Sequence, residues 1–415
     1  MKEQQVVITG LGAVTPIGIG VKDFCKGLNA GRNGISKVTR FDVTDFRSKL
    51  AAEIKDFQPE KWIEKKSINR IDRFIHFAIA ASTMAIEDAG LDSYSYDKNM
   101  IGVIVGSGIG GSQAIEDGLT ILKEKGPNSM NPFFISKLLI NMAACMVSIK
   151  HGLKGPISAP SMACSTGLNA IGDAYRILQR GDAEIMLAGS SEASITPLPY
   201  GGFCATRSMT TNDNPENACR PFDKNRDGFV MGEGAGIVVL ENRQHALKRG
   251  ARIYAELVGY GNTADAFHFT APEPSGDGMK RVMKAALKDA ALDAEKIGYV
   301  NAHGTSTVLN DKSESLAINK VFGKHVNKLR VSSIKSMIGH LLAAAGSVEF
   351  ISTVMSLYTG IIPPTINYKE KDEDCNLNYV TNVAETVKLN AAMTNSFGFG
   401  GGNACLIIKK YENEY

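Results

Sequence analysis

The sequence predicts an α/β protein built from two successive halves. Short apolar runs that read as strands alternate along the chain with longer stretches of helical spacing. A comparable strand–helix–strand series opens twice, first at the N-terminus and again near Ile253. The length of 415 residues exceeds what one simple core requires and suits two fused lobes. The halves fall at residues 1–250 and 251–415. The repeat lies in the order of elements, and no clean repeat of sequence accompanies it.

Residues 6–9 form an apolar strand, and the glycines at 10 and 12 predict a turn after it. A helix is expected over 21–30, and 31–60 read as loop. Lys61, Lys65, Lys66, Arg70 and Arg73 make a basic segment broken by Glu60, Glu64 and Asp72. It reads as a solvated face or as a docking patch for an acidic partner. A helix over 74–89 follows, with Ile75, Ala78, Ile79, Ser82 and Ile86 on one side. Residues 101–105 are a strand, succeeded by Gly106-Ser-Gly-Ile-Gly-Gly111. That run matches G-x-G-x-x-G. No strand ending in an acidic residue follows at the ~20-residue distance a dinucleotide site needs, so a tight packing loop is the better reading. Residues 132–150 look helical. Residues 184–188 are a strand, with a small-residue turn at 189–191 and an irregular stretch over 195–222. Asp223, Asn225, Asp227 and Gly228 match the first positions of a calcium loop. The twelfth position is Gly234, and a strand over 237–241 stands where the exiting helix should be, so calcium binding fails.

In the second half a strand over 253–260, a helix over 279–292 with a cap near Asp277, and a strand over 297–302 succeed one another. A helix over 313–322 and a strand over 329–334 follow. A small-residue buried helix over 341–349 and a last strand over 404–409 complete the pattern.

Composition excludes several classes. Hydrophobic residues at 44% and charged residues at 21% are ordinary for a globular protein. A net charge of +3 argues against a nucleic-acid binder driven by bulk charge. The seven cysteines are scattered without paired spacing, which predicts reduced thiols and neither a disulfide frame nor a metal site. No signal-peptide pattern opens the chain, and no apolar run reaches the ~20 residues that span a bilayer, residues 341–346 being the nearest. A cytoplasmic protein without membrane contact is expected.

The chemistry centres on Ser158-Ala-Pro-Ser-Met-Ala-Cys164-Ser-Thr-Gly167. Leu168, Ile171, Tyr175 and Leu178 then recur at helical spacing, which puts Cys164 on a turn that opens a helix. Free N–H groups and the helix dipole there predict a lowered thiol pKa and a nucleophile; a buried structural cysteine is the alternative. His303 and His340 each lie at a glycine-flanked junction just past an apolar strand, where α/β proteins place functional groups. A cysteine with histidines serves acyl transfer through a thiolate and an N–H-lined oxyanion site, to which the glycine-rich turn at 398–402 is a candidate donor.

Five stretches together resemble the β-ketoacyl-acyl-carrier-protein synthases of the thiolase superfamily. They are Ala163-Cys164-Ser-Thr-Gly, Arg220-Pro-Phe-Asp-Lys-Asn-Arg-Asp-Gly-Phe-Val-Met-Gly-Glu-Gly234, Asn301-Ala-His303-Gly-Thr-Ser-Thr, Lys335-Ser-Met-Ile-Gly-His340 and Asn395-Ser-Phe-Gly-Phe-Gly-Gly401. The similarity spans essentially the whole chain. It implies a thiolase-like fold of two pseudo-equivalent α-β-α-β-α halves in a five-layered core, and a homodimer. It implies an acyltransferase in which Cys164 carries the acyl chain and Cys164 and Phe399 N–H groups form the oxyanion hole. His303 and His340 would stabilise the enolate left by decarboxylation of malonyl carrier protein, with Lys335 and Glu349 supporting them. Glu349 is also counted, with Thr305, Thr307, Ile109 and Phe399, among the substrate-binding positions: the two threonines on the pantetheine arm, Ile109 in the acyl pocket, Phe399 as its gate. Lys66, Arg70 and Arg207 would dock the acidic acyl carrier protein, which brings its own phosphopantetheine; no cofactor or metal of the enzyme's own is implied. Asn69, Ile338, Val308 and Gly402 depart from the usual family residues, and none of them belongs to the Cys-His-His set.

Two rivals share much of this pattern. A polyketide or other secondary-metabolite ketosynthase uses the same three residues. A non-catalytic chain-length partner lacks the cysteine, which is present here. A degradative thiolase would carry a C-terminal Cys-x-Gly, whereas Cys405 precedes Leu-Ile.

Overall fold

The computed structural model describes residues 4–93 and 96–412. One mixed sheet has eleven strands, the short Gly18–Ile19 folding back on the first of them and ten forming its main path: β1 Val6–Thr15, β2 Ile101–Gly106, β3 Ile157–Ser158, β4 Ile185–Glu192, β5 Gly234–Asn242, β6 Ala255–Ala264, β7 Tyr299–Asn301, β8 Arg330–Ser332, β9 Ala391–Phe397 and β10 Gly402–Lys409. Their spatial order is β8-β7-β9-β10-β6-β1-β5-β4-β2-β3. Outward from the antiparallel β1/β6 seam, where Val6 faces Leu257, one side reads β1-β5-β4-β2-β3 and the other β6-β10-β9-β7-β8. Each strand therefore has a counterpart five places later in the chain, which is the duplication the sequence pattern predicts.

The principal helices repeat in the same way: α1 Arg73–Asp88, α2 Met142–His151 and α3 Thr166–Arg180, then α4 Asp277–Asp289, α5 Val308–Phe322 and α6 Ala345–Thr359. Helices α1 and α2 cover the outer face of the first half, and α4 and α5 that of the second. Between them α3 and α6 pack on each other and on strands of both halves. Three apolar clusters fill the gaps between these five layers, the largest around α3 and α6. Helix α3 is strongly amphipathic, with Leu168, Ile171, Tyr175 and Leu178 buried as the spacing predicts.

The structure corrects several local expectations. Residues 10–12 do not turn; β1 continues through them to Thr15, wholly buried. A Cβ at Gly12 would lie 1.9 Å from the Ala81 carbonyl oxygen and one at Gly10 2.3 Å from that of Ala85, so these glycines let α1 lie directly on the strand. Likewise 189–191 belong to β4. Residues 132–150 break into Phe134–Leu138 and α2, and 195–222 contain short helices Pro197–Ala205 and Pro215–Ala218. Residues 342–359, with mean hydropathy 1.2, run from the turn Leu342–Ala344 through α6; the stretch is 83% buried, and α6 is a central core helix.

Candidate active site

Three chain segments converge on one cleft of about 610 Å³. Cys164 sits in the 3-10 turn Ala163–Ser165 between β3 and α3. His340 precedes the corresponding turn, Leu342–Ala344, between β8 and α6. His303 follows β7. The duplication thus explains the convergence: the Cys164 turn and the His340 turn are counterparts, and both abut the central helix layer. Cys164, His303, His340, Thr305, Thr307, Phe399 and Leu342 all line the cleft.

The Cys164 Sγ lies 3.1 Å from His340 Nε2. His340 Nδ1 accepts the Leu342 N–H at 3.3 Å, so the neutral ring carries its hydrogen on Nε2 and donates toward the sulfur. His303 meets His340 at 5.4 Å between ring centroids, nearly perpendicular. Lys335 Nζ contacts His303 Nδ1 at 3.3 Å, donates to the His303 carbonyl at 2.6 Å and pairs with Glu349. An ammonium at Nδ1 likewise leaves the His303 hydrogen on Nε2. Both rings are held well below the usual histidine pKa, first by burial and then by the Lys335 charge. Two neutral imidazoles therefore present N–H donors to the same cleft.

Burial pushes the Cys164 thiol up to about 12, against the opposing pull of Lys335 and the Phe399 N–H. This corrects the expectation of an acidified thiol: the helix start is present, but desolvation outweighs it. The resting group is a thiol with donors aimed at it. Gly398 lets the Phe399 N–H approach, since a Cβ there would lie 2.7 Å from the Met162 carbonyl oxygen. Ser396 Oγ donates to the Cys164 carbonyl at 2.8 Å.

Other predicted residues fall in different places. Glu349 is fully buried and does not line the cleft; it stands behind Lys335, so its place among substrate contacts is corrected to a support. Burial raises its carboxyl to about 7 while Lys335 opposes that. Ile109 packs in the aromatic cluster with Phe203, Tyr200 and Leu342, adjoining the cleft without lining it. Phe399 stacks obliquely on Phe203, 6.2 Å between centroids. Thr305 and Thr307 hydroxyls are 2.9 Å apart. Arg207 is exposed at the outer mouth beside Thr307, Val308 and Phe399. Lys66 and Arg70 are also exposed but line neither cleft nor mouth; Lys66 pairs with Glu64 and Arg70 lies 5.1 Å over the Phe133 ring.

The two cofactor-like motifs are used internally. Glu192 accepts the Gly108 N–H at 2.9 Å, so a carboxylate of the chain occupies the anion cradle of the 106–111 loop. Asp223 accepts the N–H groups of Asn225, Lys369 and Glu370, and Asp227 takes Thr210 and Arg220. Among the described residues no cluster of His, Cys, Asp or Glu is arranged to hold a metal ion.

Glu314 was missed by sequence reasoning. It is fully buried and accepts the N–H groups of His303 and Gly304, each at 2.8 Å. Its signal was polar spacing on α5: Asn310, Asp311, Glu314 and Ser315 share the buried side of that helix with Ala317 and Ile318. Phe229, edge-on to His340 at 5.2 Å, carried no signal beyond being apolar.

A buried thiol, two imidazole N–H donors and a backbone N–H around one cleft suit acyl transfer with stabilisation of a developing oxyanion or enolate. Comparison with known proteins agrees. The models "Beta-ketoacyl synthase, N-terminal domain" and "Beta-ketoacyl synthase, C-terminal domain" match residues 3–246 and 254–369. The chain is 48% identical over 413 residues to a 3-oxoacyl-[acyl-carrier-protein] synthase 2 of Synechocystis sp. (strain ATCC 27184 / PCC 6803 / Kazusa), covering 99% of each. Among solved structures it resembles the ishigamide ketosynthase/chain length factor, with TM-score 0.93 and 36% identity over 99% of this chain and 100% of the other. It also resembles a chain of a type II PKS acyl-carrier protein in complex with its ketosynthase bound to the hexaketide, with TM-score 0.92, 34% identity and coverage of 99% and 100%.

Proposed function

The chain belongs to the β-ketoacyl synthase family, and on that premise we propose that it elongates fatty acyl chains by two carbons as a 3-oxoacyl-[acyl-carrier-protein] synthase of type 2. It is an acyl-transferring condensing enzyme with a thiolase-like fold, and acyl carrier protein is its partner. The observation that carries the reaction is the meeting of Cys164, His303 and His340 in one cleft.

Cys164 sulfur attacks the carbonyl of an acyl thioester. The new S–C bond replaces the old one, and the departing pantetheine thiol leaves with the proton. The Cys164 and Phe399 N–H groups face the tetrahedral oxyanion. Malonyl carrier protein then enters. Its terminal carboxylate leaves as CO2, and the electron pair becomes an enolate held on the thioester oxygen by the two Nε2–H donors. That carbon attacks the acyl-cysteine, forming the new C–C bond as the S–C bond breaks, and the released thiolate takes a proton from solvent to restore the Cys164 thiol. Two fixed donors serve this best because the charge develops on one oxygen in a desolvated site. Phosphopantetheine belongs to the carrier protein, with Thr305 and Thr307 at its arm. Arg207 at the mouth, with Lys66 and Arg70, meets the acidic carrier.

The working form is a homodimer, and the setting the cytoplasm. The outer edge of β3 carries Ile157, 50% exposed, and the adjoining helices carry Ile149 and Ile135, 68% and 58% exposed. All seven cysteines are free thiols.

Condensation of malonyl carrier protein with a ladder of acyl carrier proteins, read by product mass, tests the reading. Products two carbons longer from the wild type and none from Cys164→Ala support it; full elongation by Cys164→Ala overturns it. Replacing Lys66 and Arg70 with glutamate is expected to weaken use of carrier protein far more than use of a small thioester, and equal losses count against docking there.

A further inference from the structure

We propose that Thr166 is a positioning residue for the nucleophile: its hydroxyl holds the left-handed corner at Ala163 that sets where the Cys164 sulfur lies. The proposal rests on the reading of Cys164 as acyl acceptor. Ala163 has φ +47°, a conformation a residue with a Cβ rarely adopts. The Thr166 Oγ1 sits across this corner. It accepts the Met162 N–H at 2.8 Å and donates to the Ala163 carbonyl at 2.7 Å, and the residue is fully buried. A threonine hydroxyl bonding three residues back in a helix is ordinary. Here the same hydroxyl also takes the Met162 N–H, so it spans the two-residue corner Met162–Ala163 just ahead of Cys164.

The duplicated half supplies the comparison. Its counterpart corner is Leu342, φ +51°, and Ala345 stands where Thr166 stands here. That corner has no hydroxyl latch; the Leu342 N–H goes to His340 Nδ1. In the first half Ser165 Oγ also donates to the Met162 carbonyl at 2.9 Å, so Thr166 and Ser165 hydroxyls hold that corner while His340 Nδ1 holds the other, and each corner orients one side chain of the Cys164–His340 contact. Gly398, whose backbone packs on the Met162 carbonyl and the Cys164 N–H, ties the Phe399 donor to the same peptide. Relaxation of residue 163 to negative φ would turn Cys164 away from His340 and Phe399 together.

Thr166→Val keeps the shape and removes the hydroxyl. The rate of Cys164 acylation by an acyl thioester, followed by intact-protein mass, should fall by about 10- to 100-fold, as expected for a misplaced reacting atom. Thr166→Ser should restore it to within about threefold. Glycine adopts positive φ without strain, so Ala163→Gly should make the latch dispensable. The Ala163→Gly/Thr166→Val double variant should acylate within about threefold of Ala163→Gly alone, and it keeps the test open if Thr166→Val fails to fold. Acylation by folded Thr166→Val at the wild-type rate, or a double variant as slow as Thr166→Val, overturns the proposal. Wild-type protein that takes up no acyl group overturns the Cys164 reading beneath it.

Discussion

At the scale of single residues, burial decides the protonation of this site. The Cys164 thiol is pushed up to about 12, so its thiolate fraction rises roughly tenfold per pH unit through neutrality. Alkylation by iodoacetamide should therefore climb steadily from about pH 7 to 9; a plateau near pH 7 would mean an acidified thiol. The histidines carry a stability signature. His303 and His340 are neutral in the fold because their pKa values lie well below the ordinary 6.5, whereas the unfolded chain protonates them below that pH. The unfolded state then binds up to about two more protons, and stability falls with acidification by up to about 2.7 kcal/mol per pH unit. Glu192, Glu314 and Glu349 act oppositely between 4.5 and about 7, since burial raises them and the native state holds their protons. The wild-type curve mixes both effects, so the difference between it and His303→Asn/His340→Asn isolates the first. Urea unfolding from pH 6.5 to 5 should show the variant losing less stability than the wild type. Parallel curves would place the wild-type imidazoles in water.

At the scale of elements, the His303 loop is held from α5. Glu314 takes two N–H groups of that loop, and Glu314→Ala would leave both buried without an acceptor. The expected loss is about 2–5 kcal/mol in urea unfolding, with Glu314→Gln intermediate because one oxygen remains. A variant within about 0.5 kcal/mol of wild type would mean the loop is fixed by something else. Legibility in the sequence divides along the same line. Cys164 before the helical spacing of α3, and His303 and His340 past apolar strands, were readable because local pattern puts them at element ends. Glu314 was hidden because a carboxylate on a helix reads as surface until the partner loop is known. Gly10 and Gly189 read as turns because glycine marks both turns and close contacts; only packing, α1 on β1 and β5 beside β4, separates the two. The thiol's pKa was misread because the dipole is local and visible, while desolvation depends on the whole fold.

At the scale of the molecule, the duplication places the Cys164 turn of one half and the His340 turn of the other on the central helix layer, and the first of these turns lies close to an open sheet edge. Strand β3 pairs in parallel with β2 and, among the described residues, has no neighbour on its other side. An unpaired apolar edge invites a second chain. Antiparallel pairing of two β3 edges about a twofold axis would continue the sheet and cover Ile157, Ile149 and Ile135. Six residues after Ser158 comes Cys164, through the half-exposed Met162, so a contact at this edge would share one short segment with Cys164. Ile157→Pro removes an edge N–H, and adding Ile149→Glu places a charge in the apolar face. Light scattering after size exclusion should give the wild type a mass of twice the 44.5 kDa chain and the double variant that of one chain. Acylation of Cys164 should fall in the variant as the segment loses its support. A double variant that stays dimeric would move the interface elsewhere, and a monomer that acylates at the wild-type rate would uncouple assembly from the nucleophile turn.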